Sequence, residues 1–213
     1  MLSSQIFVLV GFSGSGKSTL IKNLLKSNKD LFYSVSLTTR KKRKGEKAGK
    51  DYHFVSEEVF KQLLKNRQIL EWTYVYGNYY GTPKEPFFQA LKEGKKIIMD
   101  LDINGAEKIK KRFKEKSKII LVLPPSFSEL KKRLKKREEK EIFLRLESDK
   151  NLWSAVLKKK KIFDYYLVND HLKKTIDNLK AIIKVEDLKT LPKKILMEVK
   201  DGRPSYSARK NSY

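Results

Sequence analysis

Short apolar runs alternate with longer amphipathic stretches along this chain, and the alternation predicts its architecture. Ile6-Phe7-Val8-Leu9-Val10 is apolar at every position, so residues 5–10 read as a strand covered on both faces. Leu20-Ile21 and Leu24-Leu25 recur at helical spacing and predict a helix over 17–28. A strand is expected at 33–36, a basic loop at 40–50, and an alternating stretch at Tyr52-His53-Phe54-Val55. Ser56, with Glu57 and Glu58 in the first turn, caps a helix over 56–66. Residues 69–76 and 78–82 read as a hairpin around Gly77-Asn78. Pro83 and Gly94 bracket a helix over 84–93. A strand over 95–100 ends in Asp100, a helix over 103–114 follows, and a strand over 118–123 stops at Pro124-Pro125. Helices are expected over 126–136 and 142–160, a strand over 165–168 and a last helix over 171–185. Strands alternating with helices predict an α/β fold, a parallel sheet flanked by helices on both faces. The β-rich block 36–82 interrupts the alternation and reads as an inserted small mixed β subdomain. Residues 200–213, poor in apolar groups, are expected to fray.

Between the first strand and the first helix lies Gly11-Phe12-Ser13-Gly14-Ser15-Gly16-Lys17-Ser18-Thr19. It fits G-x-x-x-x-G-K-[ST], the loop that wraps nucleotide phosphates. Its glycines let successive backbone N–H groups curl around phosphate oxygens, and the helix it opens points its N-terminus at the anion. Lys17 reaches toward the β and γ phosphates and the Ser18 hydroxyl toward Mg²⁺. A nucleoside triphosphate site follows, formed by Gly11, Ser13, Gly14, Ser15, Gly16, Lys17, Ser18 and Thr19. The loop leaves the reaction open, because many chemistries share it.

Composition narrows the rest. The chain has 213 residues, enough for one domain with an inserted subdomain, and no cysteine, which excludes disulfides and thiolate metal sites. No apolar run has the ~20 residues of a membrane span, and Met1-Leu2-Ser3-Ser4 enters the first strand directly, leaving no room for a signal peptide. A cytoplasmic protein is expected. The net charge of +24 is spread along the chain and is mostly lysine, so it reads as solvated faces with no dedicated nucleic-acid site. Only nine of the 49 basic residues are arginine, and five of those nine, Arg40, Arg43, Arg133, Arg137 and Arg145, fall in two clusters. A lysine-rich chain keeps arginine where the planar fork is needed.

The first cluster lies in Ser34-Val35-Ser36-Leu37-Thr38-Thr39-Arg40-x-x-Arg43-x-Gly45-Glu46-x-x-Gly49-x-Asp51-Tyr52. Two guanidinium forks and a phenol form a good inventory for a second phosphate. Downstream, Ile69-Leu70-Glu71-Trp72 sets a lone acid in an apolar strand, and Gly77-Asn78-Tyr79-Tyr80-Gly81-Thr82 adds a turn with two tyrosines. Ile97-Ile98-Met99-Asp100-Leu101-Asp102-x-x-Gly105 ends an apolar strand in an acid, where a Walker-B carboxylate holds the metal through water. Read singly, each has a plain alternative. Glu71 fits an edge-strand acid, Arg40 and Arg43 a solvated basic run, Asp100 and Asp102 helix caps, and the tyrosines hairpin packing. Their joint presence downstream of an intact phosphate loop favours the chemical reading.

Together these motifs resemble the guanylate kinase family over about residues 5–185. The resemblance implies phosphoryl transfer from MgATP to GMP, and to dGMP, on a P-loop NTPase-type fold with a short helical lid. It implies that Ser36, Glu71, Thr82 and Asp102 read guanine, and that Arg40, Arg43, Tyr52 and Tyr80 hold the GMP phosphate. Lys17, Arg133 and Arg145 match the basic residues around the transferred group, and Asn169 the residue near the adenosine of ATP. Residues 36–82 become the GMP-binding subdomain, 127–145 the lid, and 1–35, 83–126 and 146–199 the core. Mg²⁺ is the implied cofactor, with Ser18 and, through water, Asp100 as its side chains. The partners are the two small-molecule substrates, with no membrane, on a monomer or weak homo-oligomer.

The chemistry agrees. Guanine offers N1–H and N2–H₂ to a carboxylate such as Glu71, and O6 to a hydroxyl such as Ser36, whereas adenine leaves a buried carboxylate unpaired. This opposes a kinase of another acceptor. The peptide-binding relatives of these kinases have degraded phosphate loops and proline at the position of Ser36, unlike this chain. The nucleophile is an anionic phosphate oxygen that needs no base, which leaves His53 and His171 without a catalytic role. Phe12 stands where the family has proline, and the lid connection 137–142 is about three residues short.

Overall fold

A computed structural model describes residues 5–135 and 153–189. Five strands, β1 (Ile6–Gly11), β2 (Leu31–Tyr33), β7 (Lys96–Asp100), β8 (Ser117–Leu123) and β9 (Tyr165–Val168), form a sheet in the order β2-β7-β1-β8-β9. Every neighbouring pair is parallel. The unbroken apolar run of β1 follows from this position, because a central parallel strand meets helices on both sides. Ile6, Val8 and Val10 face one core with Ile97, Met99, Ile119 and Leu121. Phe7 and Leu9 face the other with Ile98, Ile120 and Val122.

Helices α3 (Lys84–Lys92) and α4 (Ile103–Phe113) cover the first face, with Val156 from the helical residues 153–158, here α6. Helices α1 (Lys17–Ser27) and α7 (Leu172–Leu188) cover the second through Leu20, Ile21, Leu24, Leu179 and Ile183. Helix α5 (Phe127–Lys135) follows β8. Residues 136–152 lie outside the described residues, and with them Arg137, Arg145, part of the lid expected over 127–145 and the start of the helix expected over 142–160; the tail 200–213 lies outside them as well.

The interrupting block forms a second sheet in the order β4-β3-β6-β5, from β3 (Leu37–Thr38), β4 (His53–Phe54), β5 (Ile69–Val75) and β6 (Asn78–Pro83). The β3–β4 pair is parallel and the β3–β6 and β5–β6 pairs are antiparallel, so the sheet is mixed. Helix α2 (Glu57–Lys65) seals it, with Phe60 against Leu37 and Ile69. Ser56 Oγ accepts from the N–H of Val59, as its N-capping position predicts.

Two local expectations shift. The strand expected at 33–36 is split: Leu31–Tyr33 pairs with β7, and Leu37–Thr38 belongs to the second sheet. Ser34 to Ser36 carry the chain between sheets, so their alternation serves a crossing, not one strand. The hairpin turn sits on Tyr76-Gly77, one residue early, with φ of 53° and 72°. Two consecutive positive φ values suit the right-handed twist of a tight hairpin.

Candidate functional site: a phosphate loop facing a carboxylate-floored cleft

The phosphate loop leaves the central strand at its carboxyl end, where ligands bind in open α/β sheets. Gly16 adopts φ 95°, and a Cβ there would stand 2.3 Å from Asn169 Nδ2, so both conformation and contact require glycine. Lys17 Nζ bends over the loop and donates to the carbonyls of Gly11 (2.8 Å) and Phe12 (3.3 Å). It also lies 3.7 Å from Asp100 Oδ1. Ser18 Oγ donates to Asp100 Oδ2 at 3.4 Å, so the hydroxyl and the carboxylate share one side of the loop mouth. Burial pushes the Asp100 carboxyl above its ordinary value, against the pull of Lys17 and Ser18.

The loop is held from beneath. Asn169, just after β9, donates through Nδ2 to the carbonyl of Ser15 at 2.8 Å. Its own carbonyl accepts from Arg133 Nη2 at 3.3 Å, and Glu129 holds Arg133 Nε at 3.1 Å on the preceding turn of α5. The buried amide of Asn169 is thus committed to the loop itself, a role that no local pattern announces. Phe12 is buried too, packed on Leu130 and edge-on to Trp153 at 5.4 Å. Its side chain ties the loop to α5 and α6.

Across from the loop, a cleft of about 440 Å³ is lined by Ser36, Arg40, Arg43, Tyr52, Glu71, Tyr80, Asp100 and Asp102, among others. Seven of the eight residues expected on the acceptor side therefore share one wall system. The eighth, Thr82, is fully buried behind Glu71 and donates to its Oε1 at 2.7 Å. Glu71 is itself buried, and burial raises its carboxyl to about 7, the Thr82 hydrogen bond opposing and the Asp102 charge adding. Asp102 fulfils both of its readings. Its Oδ1 caps α4 by accepting from the N–H of Gly105 at 2.7 Å, and its Oδ2 is buried with no hydrogen-bond partner among the described residues.

A second cavity of about 690 Å³ joins the phosphate loop to Lys41, Lys42, Arg43, Lys44 and Tyr52. Glu46 organises this basic loop, and the sequence reading missed it. Its carboxylate takes Arg40 as a two-pronged fork at 2.8 and 2.9 Å and accepts from the N–H of Arg43 at 2.8 Å. Burial would raise the Glu46 carboxyl, yet these bonds hold it below its ordinary value. The available signal was one acid inside a run of cations, spaced from both arginines. Arg40 lies over the Tyr52 ring at 5.3 Å, and Tyr52 meets Tyr80 edge-on. Burial and the nearby Asp100 charge raise the Tyr52 phenol further, so it stays a neutral donor. His53 is exposed and His171 merely precedes α7, both away from the cleft lining.

Carboxylates buried beside a cation-walled phosphate loop point to a purine nucleotide kinase, and one comparison decides which. The model of the family described as guanylate kinase matches residues 3–186. The chain belongs to the guanylate kinase family. It is 39% identical over 195 residues to the guanylate kinase of Carboxydothermus hydrogenoformans, covering 92% of this chain and 94% of that one. It is 42% identical over 184 residues to the guanylate kinase of Caldanaerobacter subterraneus subsp. tengcongensis, covering 85% and 87%. The crystal structure of guanylate kinase from Anaplasma phagocytophilum superposes with a TM-score of 0.75 at 32% identity, over 92% and 94% of the two chains. The two-sheet α/β architecture is therefore that of guanylate kinases. Among the described residues, no helix is long and apolar enough to cross a membrane.

Proposed function

We propose that the phosphate loop and the carboxylate-floored cleft are the donor and acceptor sites of the guanylate kinase reaction, in which ATP phosphorylates GMP to GDP. The observation that carries the role assignment is the pairing of buried Glu71 with Asp102 Oδ2 on one cleft floor. Two carboxylates side by side repel each other, and a hydrogen-bond donor edge relieves both. Guanine presents N1–H and N2–H₂ on one edge, and Ser36 donates to the adjacent O6. An adenine edge leaves a buried carboxylate unpaired. Residues 36–82 act as the acceptor subdomain. Ser36, Glu71, Thr82 and Asp102 read the base and not the ribose 2′ position, which makes dGMP a second acceptor on this reading.

Arg40, Arg43, Tyr52 and Tyr80 hold the acceptor phosphate. Glu46 holds the Arg40 fork in place, which lowers the cost of ordering it on binding. Arg40→Lys is expected to raise the KM for GMP ~10-fold or more with the KM for ATP little changed, since lysine cannot make the paired contact. Steady-state kinetics with each substrate varied in turn checks this. An effect on ATP alone would move the loop to the donor side.

On the donor side, Gly11, Ser13, Gly14, Ser15, Gly16 and Thr19 present loop backbone to the ATP phosphates, and Asn169 keeps the loop curled. Ser18 and Asp100 are oxygen donors set together at the loop mouth, and Mg²⁺ fits them. It takes few protein ligands and keeps waters and phosphate oxygens for the rest. Among the described residues no cluster of three His, Cys, Asp or Glu competes as a metal site. When bound, the cation neutralises charge on the β and γ phosphates. An acceptor phosphate oxygen attacks the γ-phosphorus in line, the bond to the β-phosphate oxygen breaks, and its electron pair leaves on ADP. Lys17, Arg133 and Arg145, the last in the lid 127–145, offset the charge spread over the transferred group. Alignment and charge do the work, with no general base.

A coupled assay of ATP with each nucleoside monophosphate tests the assignment. GMP is expected to exceed AMP, CMP and UMP by at least ~10²-fold in kcat/KM. Comparable use of AMP would remove guanine reading from Glu71.

A further inference from the structure

Gly105 lies buried in the first turns of α4, directly against the carboxylate of Glu71. A Cβ at this position would stand 2.7 Å from Glu71 Oε2 and 3.3 Å from Asp102 Oδ1. Its backbone is ordinary helix, with no positive φ that would call for glycine. Alanine is the better helix former, so local structure alone favours a side chain here. The exception traces to contact. The carboxylate of Glu71 is held on one oxygen by Thr82 and has Gly105 at the other. The N–H of Gly105 meanwhile fixes Asp102 Oδ1 at 2.7 Å.

We propose that Gly105 is a positioning residue for guanine recognition: its bare Cα lets α4 close onto Glu71, and its N–H sets Asp102, so one glycine aligns both carboxylates. The inference rests on the reading of Glu71 as the guanine acceptor. It joins the two sheets functionally, because Glu71 belongs to β5 and Gly105 to a helix of the larger sheet. A Cβ would push the Glu71 carboxylate off its place without touching the phosphate loop. The effect therefore falls on the base and spares the transferred group.

Gly105→Ala and Glu71→Gln are compared with the parent enzyme for the KM of GMP and of ATP, kcat and thermal midpoint. Gly105→Ala is expected to raise the KM for GMP ~10-fold or more, with kcat and the KM for ATP within about twofold. IMP keeps N1–H and O6 but lacks the N2 amino group, so the preference for GMP over IMP narrows in the same variant. In a Glu71→Asp background the shorter acid withdraws from the new methyl. Gly105→Ala then has a smaller effect than in the parent, a coupling that a general packing defect does not give. This background also supplies a folded protein should the single variant fail to fold. A raised thermal midpoint with an unchanged KM for GMP would overturn the proposal, because helix propensity alone would then govern the site. Parallel losses in kcat and both KM values would overturn it as well. If Glu71→Gln leaves the KM for GMP unchanged, the guanine reading of Glu71 falls first, and the role of Gly105 falls with it.

Discussion

Lys17→Ala is expected to lower kcat by ~10² or more in a protein that remains folded. The ammonium occupies the mouth of the loop, on the carbonyls of Gly11 and Phe12 and close to Asp100. On the proposed reading charge gathers there as the phosphoryl group moves, and a preorganised charge of this kind supplies ~3 kcal/mol to a transition state. Its removal also takes from Asp100 the cation that opposes its upward shift, so the carboxyl rises further. Structure has less to lose. The α1 face that packs on the sheet is Leu20, Ile21 and Leu24, and Lys17 lies outside that apolar face, at the mouth of the loop. Single-turnover kinetics with a thermal melt separates these effects. Near-parental turnover would show that Lys17 does not act on the transferred phosphate.

The second large effect is the pH dependence of guanine binding. On the proposed reading Glu71 accepts from guanine, which it does only when ionised, and burial raises its carboxyl to about 7. The KM for GMP is expected to rise by about tenfold for each pH unit below that value, with the KM for ATP flat. Glu71→Gln leaves only the weaker dependence of the GMP phosphate itself, which titrates at ~6, and costs ~10²-fold or more in preference for GMP over the other nucleotides. The same shift carries a stability sign. The folded protein holds this proton more tightly than the unfolded chain, whose glutamates titrate near ~4.3. Between there and about 7 the unfolded state binds fewer protons, so the contribution of Glu71 to stability falls as pH rises through the window. Glu71→Gln removes that slope. A pH series of melts and GMP titrations reads both, and a pH-independent KM in the parent would rule out Glu71 as the acceptor.

Residues close in sequence were legible, and those that meet from afar were not. The phosphate loop could be read because its ligands are contiguous and its strand and helix flank it. The pairing of Glu71 with Asp102 was available only through family resemblance, since no local period relates a strand acid to a helix cap thirty-odd residues on. Asn169 and Ser15 meet across 154 residues, and nothing around either announces the contact. Glu46 was hidden by its neighbours: five cations from Lys41 to Lys47 read as a solvated run, while one acid among them orders the run. The misplaced strand at 33–36 has a similar cause. Alternation of serine with apolar residues states that a chain is extended but not which sheet it joins, and here it leaves one sheet for another. The hairpin turn slipped by one because Tyr76 accepts a left-handed φ normally given to asparagine or glycine.

The sheet order also dictates when this site comes into being during synthesis. β1 is made first but lies between β7 and β8, so its two flanks arrive only with residues 96–100 and 117–123. The loop it carries is not pinned until Asn169 emerges near the far end of the described chain. Until residue 117 this apolar strand has no β8 beside it, and parallel pairing of this range is slow to form. The loop thus precedes the residue that pins it by 154 positions in the chain. The loop therefore takes its pinned form only once the edge strand β9 has joined the sheet.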